Sequence, residues 1–316
     1  MTRLGDMFGA GDVDTFMGVP KCRDLSRLRA PVAIIGADCA TPYASAGAYC
    51  MGGPAAIRAG AADFAASRGH FNFDLGGVGW PEEAVVDAGD LEQDPEDASG
   101  NRSRIFGAVG QCLDKRAVPV LLGGDDSITI PALEAFGARG SYTLLQMDAH
   151  IDWRDEVAGE RLGLSSVMRR ASEMQHVDRI VQVGQRGLGS ARDEEVRAAE
   201  AWGVEFVPGG EVARDGVSRG IDAVPKGADV IVAFDLDGLD PAIMPAVIGR
   251  TAGGLSYWQA LELLAGVAAK ARIAGIVVTE FMPTRDVDGL GAATAAQLLI
   301  STLGLISRQS PAHRAR

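Results

Sequence analysis

A chain of 316 residues, 47% hydrophobic and 23% charged, is long enough to bury one large core or two smaller ones. Its formal net charge of −12 disfavours nucleic acid and anionic membranes as partners and suits a cationic small molecule. Cys22, Cys39, Cys50 and Cys112 form no Cys-x-x-Cys pair and no secretory signal is visible, so reduced thiols and a cytoplasmic location are expected.

Residues 1–30 carry no strong period and read as an N-terminal arm of one domain spanning 1–316. Residues 32–36 are β-branched and end on Gly36, a buried-strand pattern. A loop rich in Gly, Ala, Ser and Tyr leads to Gly53-Pro-Ala-Ala-Ile-Arg58, which opens a helix with Pro54 in its first turn. Residues 71–75 read as a second short strand, and the acidic residues 77–100 as an excursion. Residues 102–116 have the spacing of an amphipathic helix. Further strands are predicted at 118–122, 142–147, 179–184, 204–207, 229–234 and 273–279. Helical patterns fall between them near 131–137, 165–175, 194–202, 256–271 and 294–305. The apolar runs read as too short to cross a bilayer. The tail 308–316 is polar and expected to fray. Alternating strands and helices predict a parallel sheet covered on both faces. Periodicity leaves an open sheet and a closed barrel both standing.

Chemistry concentrates where the strands end. In Asp148-Ala-His-Ile-Asp152 three metal-binding side chains recur at every second residue, so an extended backbone would aim them to one side. Two carboxylates with an imidazole suit manganese, zinc, iron or nickel better than calcium. Another strand ends in Asp125-Asp126 and a third in Asp235, Asp237 and Asp240. Neighbouring parallel strands lie about 5 Å apart, so the clusters can meet beyond the carboxyl ends of a sheet. That many carboxylates share a pocket only with cations, and two divalent ions bridged by shared carboxylates answer the need. Gly123-Gly124 lacks the Lys-Ser/Thr of a phosphate loop, and neither a dinucleotide fingerprint nor an EF-hand is present.

Taken together, Gly123-Gly-Asp-Asp-Ser127, Asp148-Ala-His-Ile-Asp152 and Phe234-Asp-Leu-Asp-Gly-Leu-Asp-Pro241 resemble the ureohydrolase family of arginases, agmatinases and guanidino-acid hydrolases. Gly253-Gly-Leu255, Glu280-Phe-Met-Pro283 and Gly53-Pro-Ala-Ala-Ile-Arg58 support the resemblance. It implies a three-layer α/β/α sandwich around an eight-stranded parallel sheet. It implies hydrolysis of a guanidino compound to urea and an amine by a hydroxide bridging two divalent metals, manganese first and nickel second. It also implies a homo-oligomer, trimer or hexamer. On this resemblance Asp148, Asp152 and Asp235 are ligands of a first metal, with Asp148 and Asp235 bridging to a second held also by His150 and Asp237. Glu280 pairs with the substrate guanidinium, and Asp152 orients the hydroxide.

Three positions depart from the family pattern. Asp126 stands where a His ligand of the first metal is usual. Five carboxylates against two divalent ions leave the shell at about −1, which raises the pKa of bound water and favours hard manganese. No His follows the central motif at the usual slot, where the sequence is Gly163-Leu-Ser-Ser166. Arg250 is unusual before Gly253-Gly-Leu255. These departures keep open a weak or inactive subunit that supports an active paralogue in a hetero-oligomer; a deacetylase-like hydrolase would need more His residues. Finally, Arg154 follows Asp152 closely, and the resemblance implies that it holds the far end of the substrate. With Arg250 it would bind a carboxylate, favouring a short guanidino acid over agmatine. Trp153 could instead close the pocket around an alkylguanidine.

Overall fold

The computed structural model describes Met7 and residues 13–309. Its strands are β1 (Val32–Ala37), β2 (Phe71–Asn72), β3 (Gly77–Val78), β4 (Val85–Asp90), β5 (Val118–Gly123), β6 (Tyr142–Met147), β7 (Val177–Val183), β8 (Glu205–Val207), β9 (Asp229–Asp235) and β10 (Arg272–Thr279). Eight of them form one sheet in the order β4-β1-β5-β10-β9-β6-β7-β8. Every pairing in it is parallel. The sheet ends on two edges, β4 and β8, so it is open and not a barrel.

Side chains alternate between two apolar layers, as strand geometry requires. Leu122, Val232 and Val278 pack with helices Gly53–Ala62, Tyr257–Lys270 and Leu290–Ser307. Their neighbours Leu121, Ile231 and Val277 pack on the other face with helices Ala98–Asp114, Thr129–Ala135, Val167–Ala171 and Asp193–Trp202. Strands buried on both faces read as continuous apolar runs, which is why most of them are visible in the sequence. The result is the expected α/β/α sandwich.

Two expectations fail at one edge. Residues 71–75 do not join the sheet: β2 and β3 form a separate antiparallel hairpin, with Phe71 and Phe73 exposed. The eighth strand is instead β4, inside the stretch read as an excursion. Its acidic residues disguised it. Asp87 is buried on β4, where Arg58 reaches it through Nε at 2.7 Å and Nη2 at 2.9 Å. The described part of the arm lies along this same edge, with the Phe16 N–H donating to Asp87 Oδ2 at 2.8 Å and Phe16, Val19, Leu25 and Leu28 buried. Residues 1–6, 8–12 and 310–316 of the arm and tail lie outside the described residues.

The membrane estimate also needs correction. Leu290–Ser307 is long and apolar enough to cross a bilayer, with mean hydropathy 1.5. It is apolar because it is two-thirds buried in the helical layer on one face of the sheet, where it packs on Gly53–Ala62 and Tyr257–Lys270.

Candidate active site

The strands carrying the acidic clusters, β5, β10, β9 and β6, are four consecutive neighbours at the centre of the sheet. Beyond their carboxyl ends lies a cavity lined by Asp126, His150, Asp152, Asp235, Asp237 and Glu280, with Tyr49, Trp153, Arg154, Ser165, Glu195 and Gly249 also on its wall.

β5 delivers Asp125 and Asp126 through a tight turn. A Cβ on Gly124 would sit 1.7 Å from the Asp38 carbonyl oxygen, so the glycine serves close backbone packing. Asp125 is the cap of the turn: its Oδ1 accepts from the Ser127 N–H at 3.0 Å. Asp126 is therefore free for other work. Its Oδ1 accepts from the hydroxyls of Thr129 (2.8 Å) and Thr279 (3.1 Å), while its buried Oδ2 has no partner among the described residues.

From β6, Asp148 accepts the His150 N–H at 2.6 Å on Oδ1, and His150 Nδ1 lies 3.1 Å from Asp237 Oδ2. From β9, Asp235 Oδ1 accepts the Asp237 N–H at 2.7 Å, and Asp237 Oδ1 accepts the Ala149 N–H at 3.2 Å. Ligand atoms of Asp148, His150 and Asp237 fall within 4.8 Å of one another, as do those of Asp126, Asp148 and Asp152. Asp148 is common to both groups. Asp152 and Glu280 adopt left-handed backbone angles, φ 45° and 67°, unusual for residues with a Cβ and typical of functional sites.

Electrostatics say that cations belong here. Burial first, then neighbouring carboxylates, push Asp126, Asp148 and Asp235 well above the usual carboxylate range. Burial likewise raises Glu280, to about 8, with Asp125 adding to it. Burial opposes charge on His150, but its hydrogen bond to Asp237 and the surrounding carboxylates outweigh this and raise it to about 9. A wholly oxygen-and-imidazole donor set with an orphaned carboxylate oxygen fits hard divalent ions.

Several side chains acting on the site were not singled out from the sequence. Gln146, also on β6, donates its amide to Asp148 Oδ2 (2.6 Å) and Asp152 Oδ2 (2.8 Å), and its own Oε1 accepts from Gln182. Alternation along the strand would have placed Gln146 on the Asp148 face. Arg186 binds the carbonyls of Asp237 (2.8 Å), Leu239 (3.2 Å) and Thr251 (2.8 Å), fixing the loop that bears Asp237. Tyr49 donates to both oxygens of Glu280. Gln146→Ala should weaken divalent-ion binding by about 10- to 100-fold, read by calorimetric titration, because it releases two candidate ligands at once.

Other expected residues lie elsewhere. Asp240 caps its own loop, accepting from the N–H groups of Ala242 and Gly253. Arg250 donates to the carbonyls of Pro245 (2.6 Å) and Arg285 (3.0 Å) and does not line the cavity; holding this loop occupies it. His176 bonds the Leu133 carbonyl, so His150 is the one imidazole on the cavity wall among the described residues. Arg154 lines the cavity, and its guanidinium pairs with no described residue; Asp155 is taken by Arg161 and Arg170. Trp153 is buried against Trp202, ring centroids 6.3 Å apart.

Residues 30–304 match the arginase family. The chain is 31% identical to the mitochondrial agmatinase of Gallus gallus over 246 residues, 74% of this chain and 70% of that protein. It is 30% identical to the mitochondrial guanidino acid hydrolase of Homo sapiens over 249 residues, 74% of this chain and 68% of the other. In three dimensions it superposes on proclavaminate amidino hydrolase from Streptomyces clavuligerus with a TM-score of 0.80 and 27% identity, covering 95% of this chain and 99% of that one. A parallel α/β/α sheet, acidic clusters meeting at its centre and a match over most of the chain place this protein in the arginase family, as a ureohydrolase-type C–N hydrolase.

Proposed function

We propose that this chain hydrolyses a short guanidino acid or an alkylguanidine to urea and an amine, with two divalent metal ions, manganese ahead of nickel. The observation that carries this reading is the sharing of Asp148 by two ligand groups that open into the same cavity as Glu280. Asp126, Asp148, Asp152 and Asp235 would hold one ion, and Asp148, Asp235, His150 and Asp237 the other. Bound there, such ions make water acidic enough to act as a nucleophile near neutral pH. Glu280 would accept the guanidinium N–H groups and hold the planar carbon towards the metal side of the cavity. Asp152, anchored by Gln146 through Oδ2, would also orient that water. A chain serving only to support an active paralogue would not need this whole donor set. The same reading makes it a single-domain cytoplasmic homo-oligomer, and its four cysteines are free thiols.

Arg154 selects among substrates. Its guanidinium pairs with none of the described residues, and Glu195, the nearby acid, is already engaged by the Arg192 N–H at 2.8 Å. A carboxylate at the far end of the substrate would complete Arg154, whereas agmatine would bring a second cation to it. Urea release should be compared across guanidinobutyrate, guanidinopropionate, arginine, agmatine and dimethylguanidine with the manganese-loaded chain. Arg154→Ala should raise KM for the acids by about 10- to 100-fold, the value of a lost charge-assisted hydrogen bond, and leave dimethylguanidine unchanged. Preference for agmatine, or an equal effect on acids and dimethylguanidine, would refute the carboxylate role. No urea from any of them would refute the function.

A further inference from the structure

The loop from Asp38 to Gly52 is pinned over the catalytic end of the sheet. The Gly52 N–H donates to Asp38 Oδ1 at 2.9 Å. A Cβ on Gly53 would lie 2.9 Å from the Gly123 carbonyl oxygen and 3.0 Å from that of Phe281, so only glycine lets the chain pass between the ends of β5 and β10. This passage brings Tyr49 directly onto Glu280. The phenol oxygen lies 2.8 Å from Oε1 and 2.7 Å from Oε2, nearly equidistant from both. Oε1 also accepts the Asp126 N–H at 2.9 Å.

A carboxylate meets a guanidinium through two parallel N–H···O bonds, one to each oxygen. A donor held equally between the two oxygens takes the place of that fork. We propose that Tyr49 is a specificity-determining residue whose hydroxyl stands in for the substrate guanidinium on Glu280 and must leave when substrate arrives, an inference that rests on the function proposed above. Two glycines with positive φ flank it, Gly47 (64°) and Gly52 (80°), and a Cβ on Gly47 would touch nothing within 4 Å. The loop therefore has pivots on both sides of Tyr49 and open space beside one of them. The phenol satisfies a buried carboxylate that would otherwise keep a single donor. Only a ligand offering both charge and a two-pronged donor replaces it without loss; a primary ammonium, a point charge, replaces it less well.

The sign of the Tyr49→Phe effect decides the matter. The variant keeps the ring and removes the hydroxyl. If the hydroxyl competes with substrate, the empty site loses a bond that the filled site never had. KM for the accepted guanidino substrate should then fall about tenfold, kcat should stay within about twofold, and metal content should not change. If the hydroxyl instead steadies Glu280 in the filled site, KM rises, and that result overturns the proposal, as does an unchanged KM. Guanidinium ion titrated calorimetrically into the manganese-loaded full chain gives a reading independent of turnover. It should bind Tyr49→Phe about tenfold more tightly than the unaltered protein, and equal, weaker or absent binding to the variant overturns the proposal. Failure of the parent function shows differently, as guanidinium binding without urea from any substrate.

Discussion

On the proposed two-ion site, Asp126→Ala should hold about one divalent ion per chain and the unaltered protein about two, and urea release should fall on the order of 100-fold or more. The side chain is held in a fixed orientation. Two threonine hydroxyls hold Oδ1, and Oδ2 is buried with no partner among the described residues. Capping of the following turn belongs to Asp125, so loss of the Asp126 carboxylate should leave the sheet folded. Asp126→His should keep both ions, since an imidazole nitrogen can occupy the same position without the extra negative charge. Elemental analysis after manganese loading, with circular dichroism as the folding control, reads the outcome. An unchanged metal ratio in Asp126→Ala would remove this residue from the metal site.

Arg58→Ala should cost about 3–5 kcal/mol of folding stability without touching the site directly. Arg58 is the buried cation of the helix Gly53–Ala62, and its fork closes on Asp87 with a further contact to Asp90. Asp87 is buried and also accepts the Phe16 N–H, so the same carboxylate joins the arm, the helix and the edge strand β4. Alanine would strand that charge in the interior. Removing both partners, as in Arg58→Met with Asp87→Leu, should therefore destabilise less than the two single changes added together. Denaturant unfolding of the four proteins measures this. Simple additivity would show that the pair is not coupled.

These two sites differ in how much of them is legible in the amino-acid order. The candidate donors Asp148, His150 and Asp152 are readable because a period of two behind an apolar run states both the element and the face. The central strands are readable because burial on both sides makes them uniformly apolar. β4 is not, because a strand that solves its edge with a buried ion pair looks like polar loop until its partner, Arg58, is seen 29 residues away in sequence. Leu290–Ser307 misleads in the other direction, since apolarity all round marks a buried helix as well as a membrane span.

What the residues determined alone was the chemistry on offer: carboxylates and one imidazole at strand ends, a glutamate after the last strand, and the alternation that demands a parallel sheet. The order of strands was decided only in three dimensions. β5 and β6 are consecutive in the chain, yet β10 and β9 lie between them, and only this insertion sets Asp126, Glu280, Asp235 and Asp148 side by side. Tertiary structure also decided which polar groups are spoken for. Arg250 is bound to carbonyls and Arg154 is not, Gln146 reaches carboxylates in the loop just past its strand, and Tyr49 reaches one far from it in sequence. The physical reason is that local patterning reports the solvent exposure and backbone geometry of single elements, whereas hydrogen-bond partners depend on loop closures between elements, which carry no periodicity of their own.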